Sequence, residues 1–209
     1  VASIQVFGAD TIREGDWVTI PSLDIDGDCM EVGLHTVTVR SFDQALITFP
    51  TSKLLEHAFK NWRGLEEAGG RRIKRSLLID QDSVCFLDKE MDERLKKINL
   101  LSKHFKEKEA EISEANSMII TDRVNHRKLT NIGVFRAYIL SYLKSNKHIN
   151  QDLTMMVRQL KPGPNGIPLE IYTFTKSTDW VEYETVQSDI FDHLLAILHL
   201  FELRLIQYP

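Results

Sequence analysis

Seven histidines, two cysteines and 30 acidic residues supply most of the side chains in this 209-residue sequence that could do chemistry, and their spacing decides whether they do. His193 and His199 share a helical stretch, but six residues apart they fall on nearly opposite faces, and no His-Glu-x-x-His pair occurs. Asp24-x-Asp26-Gly27-Asp28 begins like a calcium loop. An EF-hand needs Gly at its sixth position and Glu at its twelfth; here Gly27 is fourth and His35 is twelfth. Ser76, Asp80 and Ser83 lack the Gly-x-Ser-x-Gly turn that would activate a nucleophile. Neither Gly69-Gly70 nor Gly163-Pro164-Asn165-Gly166 is followed by the Lys and Ser or Thr of a phosphate loop. Cys29 and Cys85 are too far apart in sequence for a metal pair and too few for a disulfide framework, so both read as reduced thiols of the core. The spacing points to no metal, no cofactor and no catalytic set, and the chain does not read as an enzyme.

With chemistry set aside, the elements themselves carry the information. Hydrophobic content of 43% with 27% charged residues is that of a folded globular chain. The net charge of -4 is unevenly divided: Val1 to Gly70 holds 5 basic and 11 acidic residues, and the remainder carries +2. Neither part has the basic excess that phosphate binding leaves, so nucleic acid is not an expected partner. No apolar run approaches the ~20 residues of a membrane span. The first residue is Val, not Met, which suggests a piece of a longer protein.

Residues 1–65 read as a small antiparallel β barrel or sandwich. Glu14-Gly15-Asp16 turns into Trp17-Val18-Thr19-Ile20, an acidic loop follows at 24–28, and Met30 to Arg40 alternates with a slip near Gly33-Leu34-His35. Ser41 to Gln44 turns the chain into Ala45 to Phe49, which ends at Pro50. Residues 52–61 read as a short helix and 63–70 as a linker. Residues 71–209 then give strand, helices, strand, strand, helix and a short closing strand at 203–207, the ferredoxin-like order, with a long helical insertion at about 88–130. Within it, residues 88–115 read as one charged helix, Asn131 to Ser145 as the clearest amphipathic helix, and 152–161 with 167–175 as a hairpin. The predicted class is therefore α+β. Arg71-Arg72 and Lys74-Arg75 form the one compact basic run; on a strand, Arg71 and Arg75 share a face with Ile73 while Arg72 and Lys74 take the other.

Three stretches of the first segment resemble the soluble region of the small-conductance mechanosensitive (MscS) channel family. Arg13-Glu14-Gly15-Asp16-Trp17-Val18 matches its R-x-G-D-x-V entry, Glu31 to Arg40 its central strand pair, and Leu46 to Pro50 the strand before its I-P-N signature. Thr51 stands where that signature has Asn, Asp43-Gln44 replaces the usual Asp-Gly turn, and the longer insertion is similar to the larger YbdG-type branch. The resemblance implies fold and assembly roles for Gly15, Asp16, Trp17, Val18, Arg40 and Pro50, with Trp17, Val18 and Ile20 filling the barrel. It further implies a homo-oligomer, seven copies in the full channel, held in a bacterial inner membrane by segments absent from this chain. This portion would face the cytoplasm, and ions and small osmolytes would pass through under osmotic stress. The basic run at 71–75 reads first as a solvated strand entry; the sharper alternative is a contact with acidic residues of the first segment or of a neighbouring copy. The alternative is a non-enzymatic regulatory module that binds a protein or ligand.

Overall fold

The computed structural model describes residues 10–67, 69–117 and 126–207. The first nine residues of the predicted β domain and part of the predicted insertion, 118–125, therefore lie outside the described residues. The chain divides into two compact units, Val1–Gly69 and Gly70–Pro209.

The first unit is an antiparallel sheet of β1 (Trp17–Ile20), β2 (Ile25–Val32), β3 (Thr36–Ser41), β4 (Leu46–Pro50) and β5 (Lys60–Asn61), in the order β4-β3-β2-β1-β5. Alternation sends Val18, Ile20, Ile25, Cys29, Val37 and Val39 to one face, where they form the core with Ile12, Phe49 and Leu54. The acidic stretch at 24–28 is not a loop: Ile25 to Asp28 are β2 residues paired with β1. Asp26 and Asp28 point outward, and Gly27 faces inward where a Cβ would lie 2.0 Å from the Arg40 carbonyl oxygen. Composition suggested a turn, and cross-strand packing overrode it. The predicted slip is displaced too. The register shifts between Cys29 and Glu31, while Gly33 to His35 simply connects β2 to β3. In place of the predicted helix over 52–61 there is a single turn, α1 (Lys53–Glu56), and then β5; the predicted linker contains α2 (Arg63–Glu67). A four-residue helix buries only Leu54, so edge pairing to β1 wins the rest of that segment.

The second unit packs helices on one face of a sheet of β6 (Arg72–Ile79), β7 (Met156–Gln159) and β8 (Ile167–Phe174), in the order β6-β8-β7. Leu205 adds an antiparallel bridge to Ile79, flanked by Asp80 N–H to the Arg204 carbonyl and Ile206 N–H to the Leu78 carbonyl. That contact places the chain end beside β6, completing the ferredoxin-like order, although a bridge replaces the predicted strand at 203–207. Likewise β7 is four residues, not the ten of the predicted strand.

The predicted helix over 88–115 is two, α3 (Lys89–Lys96) and α4 (Ser102–Asn116), separated at Ile98, whose backbone is extended. Leu95 and Leu101 explain the break. Both are fully buried, yet six residues apart on one continuous helix they would face different directions. α5 spans Asn131–Ser145, the bounds its periodicity predicts, and α6 spans Trp180–Ile197. Both helices and the inner strand residues Ile73, Leu77, Leu169 and Ile171 share one core. At the head of α5, Asn131 is fully buried and fully satisfied. Its amide donates to the Ser83 and Phe201 carbonyls at 2.8 and 3.1 Å and accepts from the Cys85 N–H at 3.0 Å. Cys85 itself is exposed, contrary to the reading of both thiols as core. Its backbone is held by Asn131 while its side chain projects outward.

Candidate functional site

The segment Arg13 to Trp17 must reverse the chain before β1. Gly15 makes that possible, with φ of +88°, a left-handed backbone that costs an ordinary residue about 1–2 kcal/mol. The turn is closed by Gly15 N–H to the Cys29 carbonyl at 2.7 Å and by Cys29 N–H to the Asp16 carbonyl at 2.8 Å.

Asp16 then becomes a hub. Only 8% of the residue is exposed. Its carboxylate accepts the Arg13 backbone N–H at 2.8 Å, Asn61 Nδ2 at 2.7 Å, Arg63 Nε at 2.9 Å and a second, bidentate contact from Arg63 Nη2. Asn61 also donates to the Thr11 carbonyl at 3.0 Å and accepts the Arg63 N–H at 2.9 Å. Burial pushes the Asp16 carboxyl up, but the hydrogen bonds from Arg63, Asn61 and Arg13 outweigh it and hold the group below its ordinary 3.8. A carboxylate kept ionised and surrounded by four donors is no general base. It is a fastening between the entry turn and a segment more than 40 residues on.

Trp17 does not fill the core. Strand alternation sends Val18 and Ile20 inward and Trp17 outward, where it stacks on Trp62 with centroids 4.8 Å apart and meets the edge of Phe42 at 5.6 Å. Its Nε1 donates to Asp26 Oδ1 at 2.7 Å; Thr19 Oγ1 donates to the same oxygen and accepts from Trp62 Nε1, both at 2.9 Å. Pairing aligns Trp17, Asp28, Arg40 and Leu46 in one outward row across β1 to β4. Of the residues singled out from sequence, Gly15, Asp16 and Trp17 thus meet at one turn. Arg40 lies on the same outer face, Val18 is fully buried beneath it, and Pro50 sits exposed at the far end of β4, opposite Thr36. β4 is an edge strand, where a missing N–H does no harm.

Two replacements in the motifs keep the local geometry. Thr51 is buried; its Oγ1 donates to the Gly33 carbonyl at 3.1 Å and its N–H to the His35 carbonyl at 3.0 Å, tying the end of β4 to the β2–β3 connection. Gln44 adopts φ of +70°, the left-handed backbone a glycine would take there freely. Asn61, Trp62 and Arg63 were missed by sequence reasoning, because nothing local distinguishes them from a polar linker.

Family models match both ends of the chain: the mechanosensitive ion channel beta-domain over residues 1–64, and the mechanosensitive ion channel MscS C-terminal region over residues 130–206, together more than half its length. The chain belongs to the MscS family of mechanosensitive ion channels. An MscS family protein of Helicobacter pylori is 24% identical over 201 residues, covering 94% of this chain and 29% of that protein. The low conductance mechanosensitive channel YnaI of Escherichia coli is 19% identical over 184 residues, covering 88% of this chain and 40% of YnaI. The chain therefore spans well under half the length of these MscS relatives. Among solved structures, Arabidopsis thaliana MSL1 superposes with a TM-score of 0.62 at 12% identity, covering 99% of this chain and 57% of that one. The closed-state Helicobacter pylori MscS structure gives 0.58 at 10% identity, covering 100% and 61%. At such identities these structures speak for the fold alone. No helix among the described residues is long and apolar enough to cross a membrane, and no described group of His, Cys, Asp and Glu is placed to hold a metal ion.

Proposed function

We propose that this MscS-family chain is the cytoplasmic part of a tension-gated channel of a bacterial inner membrane, through which ions and small osmolytes leave the cell under hypo-osmotic shock. Membrane-spanning segments outside this chain would supply the pore. Copies of the chain, seven by family resemblance, would form a vestibule beneath it that assembles the channel and filters by size and charge. The observation that carries this reading is the agreement of both family regions, in chain order, with an entry turn locked at Asp16. Gly15 turns the incoming chain and Asp16 clamps it to Arg63, so a pull arriving through residues ahead of the turn is borne by a bidentate ion pair rather than by one strand edge. Trp17, Val18, Arg40 and Pro50 act as fold and assembly determinants around it.

The test is expression of the full gene product in a bacterial strain stripped of its own mechanosensitive channels. Survival of abrupt dilution and a tension-activated current in excised patches are the expected results. A full-length product that reaches the membrane yet passes no current under tension overturns the reading.

A further inference from the structure

The second unit has two uncovered faces of opposite charge. On the sheet face turned away from the core, β6 presents exposed Arg72 and Lys74 beside the half-buried Tyr172 and Phe174 of β8, whose rings meet edge to face at 5.6 Å. Among the described residues, the acid at the centre of that face, Glu170, is buried and already paired with Arg158, whose Nε and Nη2 lie 2.8 and 2.7 Å from Oε1. The face is therefore aromatic with surplus positive charge. The solvent side of α6 carries acids of its own, with Arg71 lying over the Trp180 and Tyr183 rings at its N-terminal end, 5.5 and 4.7 Å from their centroids. No Lys or Arg occurs between Trp180 and Ile197, and Glu182, Glu184, Asp189 and Asp192 are all exposed. Apolar side chains lie among them, with Trp180 47% and Val181 77% exposed along an open groove of about 530 Å³.

Both α6 and the inner sheet residues pack into the same core, so the two faces point in opposite directions and cannot meet within one copy. We propose that they meet between copies: the Arg72–Lys74 sheet face of one chain docks on the acidic, Trp180-rimmed groove of α6 in the next. Such a contact is head-to-tail, each copy offering one face of each kind, and it closes into a ring when the rotation between copies allows. A two-fold contact would instead set like charges together at either face. Single-stranded nucleic acid also suits a sheet with aromatics and cations, but it would leave the acidic groove without an occupant. This inference rests on the homo-oligomeric channel reading and adds the surfaces that build it.

The experiment uses the full-length protein in membranes, in a background in which Cys85 and any cysteine of the remaining segments are replaced by Ser. Lys74→Cys and Ser188→Cys are introduced singly and together and treated with a short thiol cross-linker. The expected result is a ladder of linked copies from the double variant and none from either single variant. Dimers from a single variant would show a two-fold contact and overturn the proposal. A persistent native oligomer with no Lys74–Ser188 linkage would also overturn it while leaving the channel reading intact, whereas a protein monomeric under every cross-linker removes both. In parallel, Arg72→Glu with Lys74→Glu should weaken assembly about tenfold or more, and Glu184→Lys with Asp189→Lys in the same chain should restore it. Salt-dependent binding of a labelled oligonucleotide, abolished by the Arg72 and Lys74 changes, would assign the face to nucleic acid and overturn the proposal.

Discussion

The two units reach stability by different routes. Among the described residues, the second buries 23 apolar side chains in one cluster and the first nine, one of them a cysteine. At the strand ends of the first unit polar fastenings add to that packing: the Asp16–Arg63–Asn61 hub, the Trp17–Trp62 stack over Asp26, and the Thr51 tie. In the second unit hydrophobic burial dominates, with a few satisfied buried polar groups as pins: Asn131, Ser83, Thr175 and the Glu170–Arg158 pair. The lesson is that Gly15, Asp16, Trp17 and Thr51 are engaged in a backbone turn, an ion pair, a ring stack and strand-end hydrogen bonds that tie distant segments of the first unit together.

Four measurements break or sharpen this contrast. The largest effect is expected from Phe135→Ala, which empties a fully buried site packed against Phe201 at 4.9 Å and should cost about 3–5 kcal/mol. Denaturant unfolding should show the loss in the second unit, read through Trp180, and leave the Trp17–Trp62 signal of the first unit where it was. Next, Asp16→Ala takes the bidentate carboxylate from a half-buried guanidinium, leaving it the exposed Asp10 carboxylate at 3.7 Å, and should cost the first unit about 2–4 kcal/mol. The buried thiol of Cys29, pushed up to about 11 chiefly by burial and then by the Asp16 charge, reports that opening. Native protein should expose only Cys85 to a thiol reagent, and the Asp16 variant should bring Cys29 into the labelling time course. An unchanged Cys29 labelling rate would mean the hub is ornamental.

A graded effect follows from pH. His104 sits on α4 with a buried Nε2 that has no hydrogen-bond partner among the described residues; burial, with Lys108 and Arg136 nearby and Glu107 opposing, lowers its pKa from the ordinary 6.5. The unfolded chain therefore binds this proton more readily than the folded one. The contribution of His104 is intact above about 6.5 and is lost as pH falls from there through the lowered folded value. His104→Phe should flatten that slope in the second unit. Asp16, also held below its ordinary value, keeps its contribution above 3.8, so the first unit should lose it only under much stronger acid. Smallest is Gln44→Gly, which relieves a left-handed backbone at φ +70° and should stabilise the first unit by about 1 kcal/mol, visible as a raised midpoint in thermal unfolding.

How much was legible beforehand depended on range. Asn131 to Ser145 could be read to the residue because its apolar spacing is a local signal. The turn at Gly15 was equally readable. Arg63 was not, since a partner 47 positions from Asp16 leaves no trace in either neighbourhood. Nor was the inward course of Ile25, Gly27 and Cys29, where acidic neighbours disguised a strand.

From the residues alone followed the α+β class, the strand–helix order of the second unit in outline and the family, because periodicity, turn chemistry and motif spacing act over a few positions. Tertiary structure alone decided that Trp17 faces outward, that Leu95 and Leu101 split one helix into two, and that Asp16 has Arg63 to hold. Each of those outcomes turns on which distant surface a side chain meets when the sheet closes over its core, and such encounters follow from the folded arrangement, not from sequence distance.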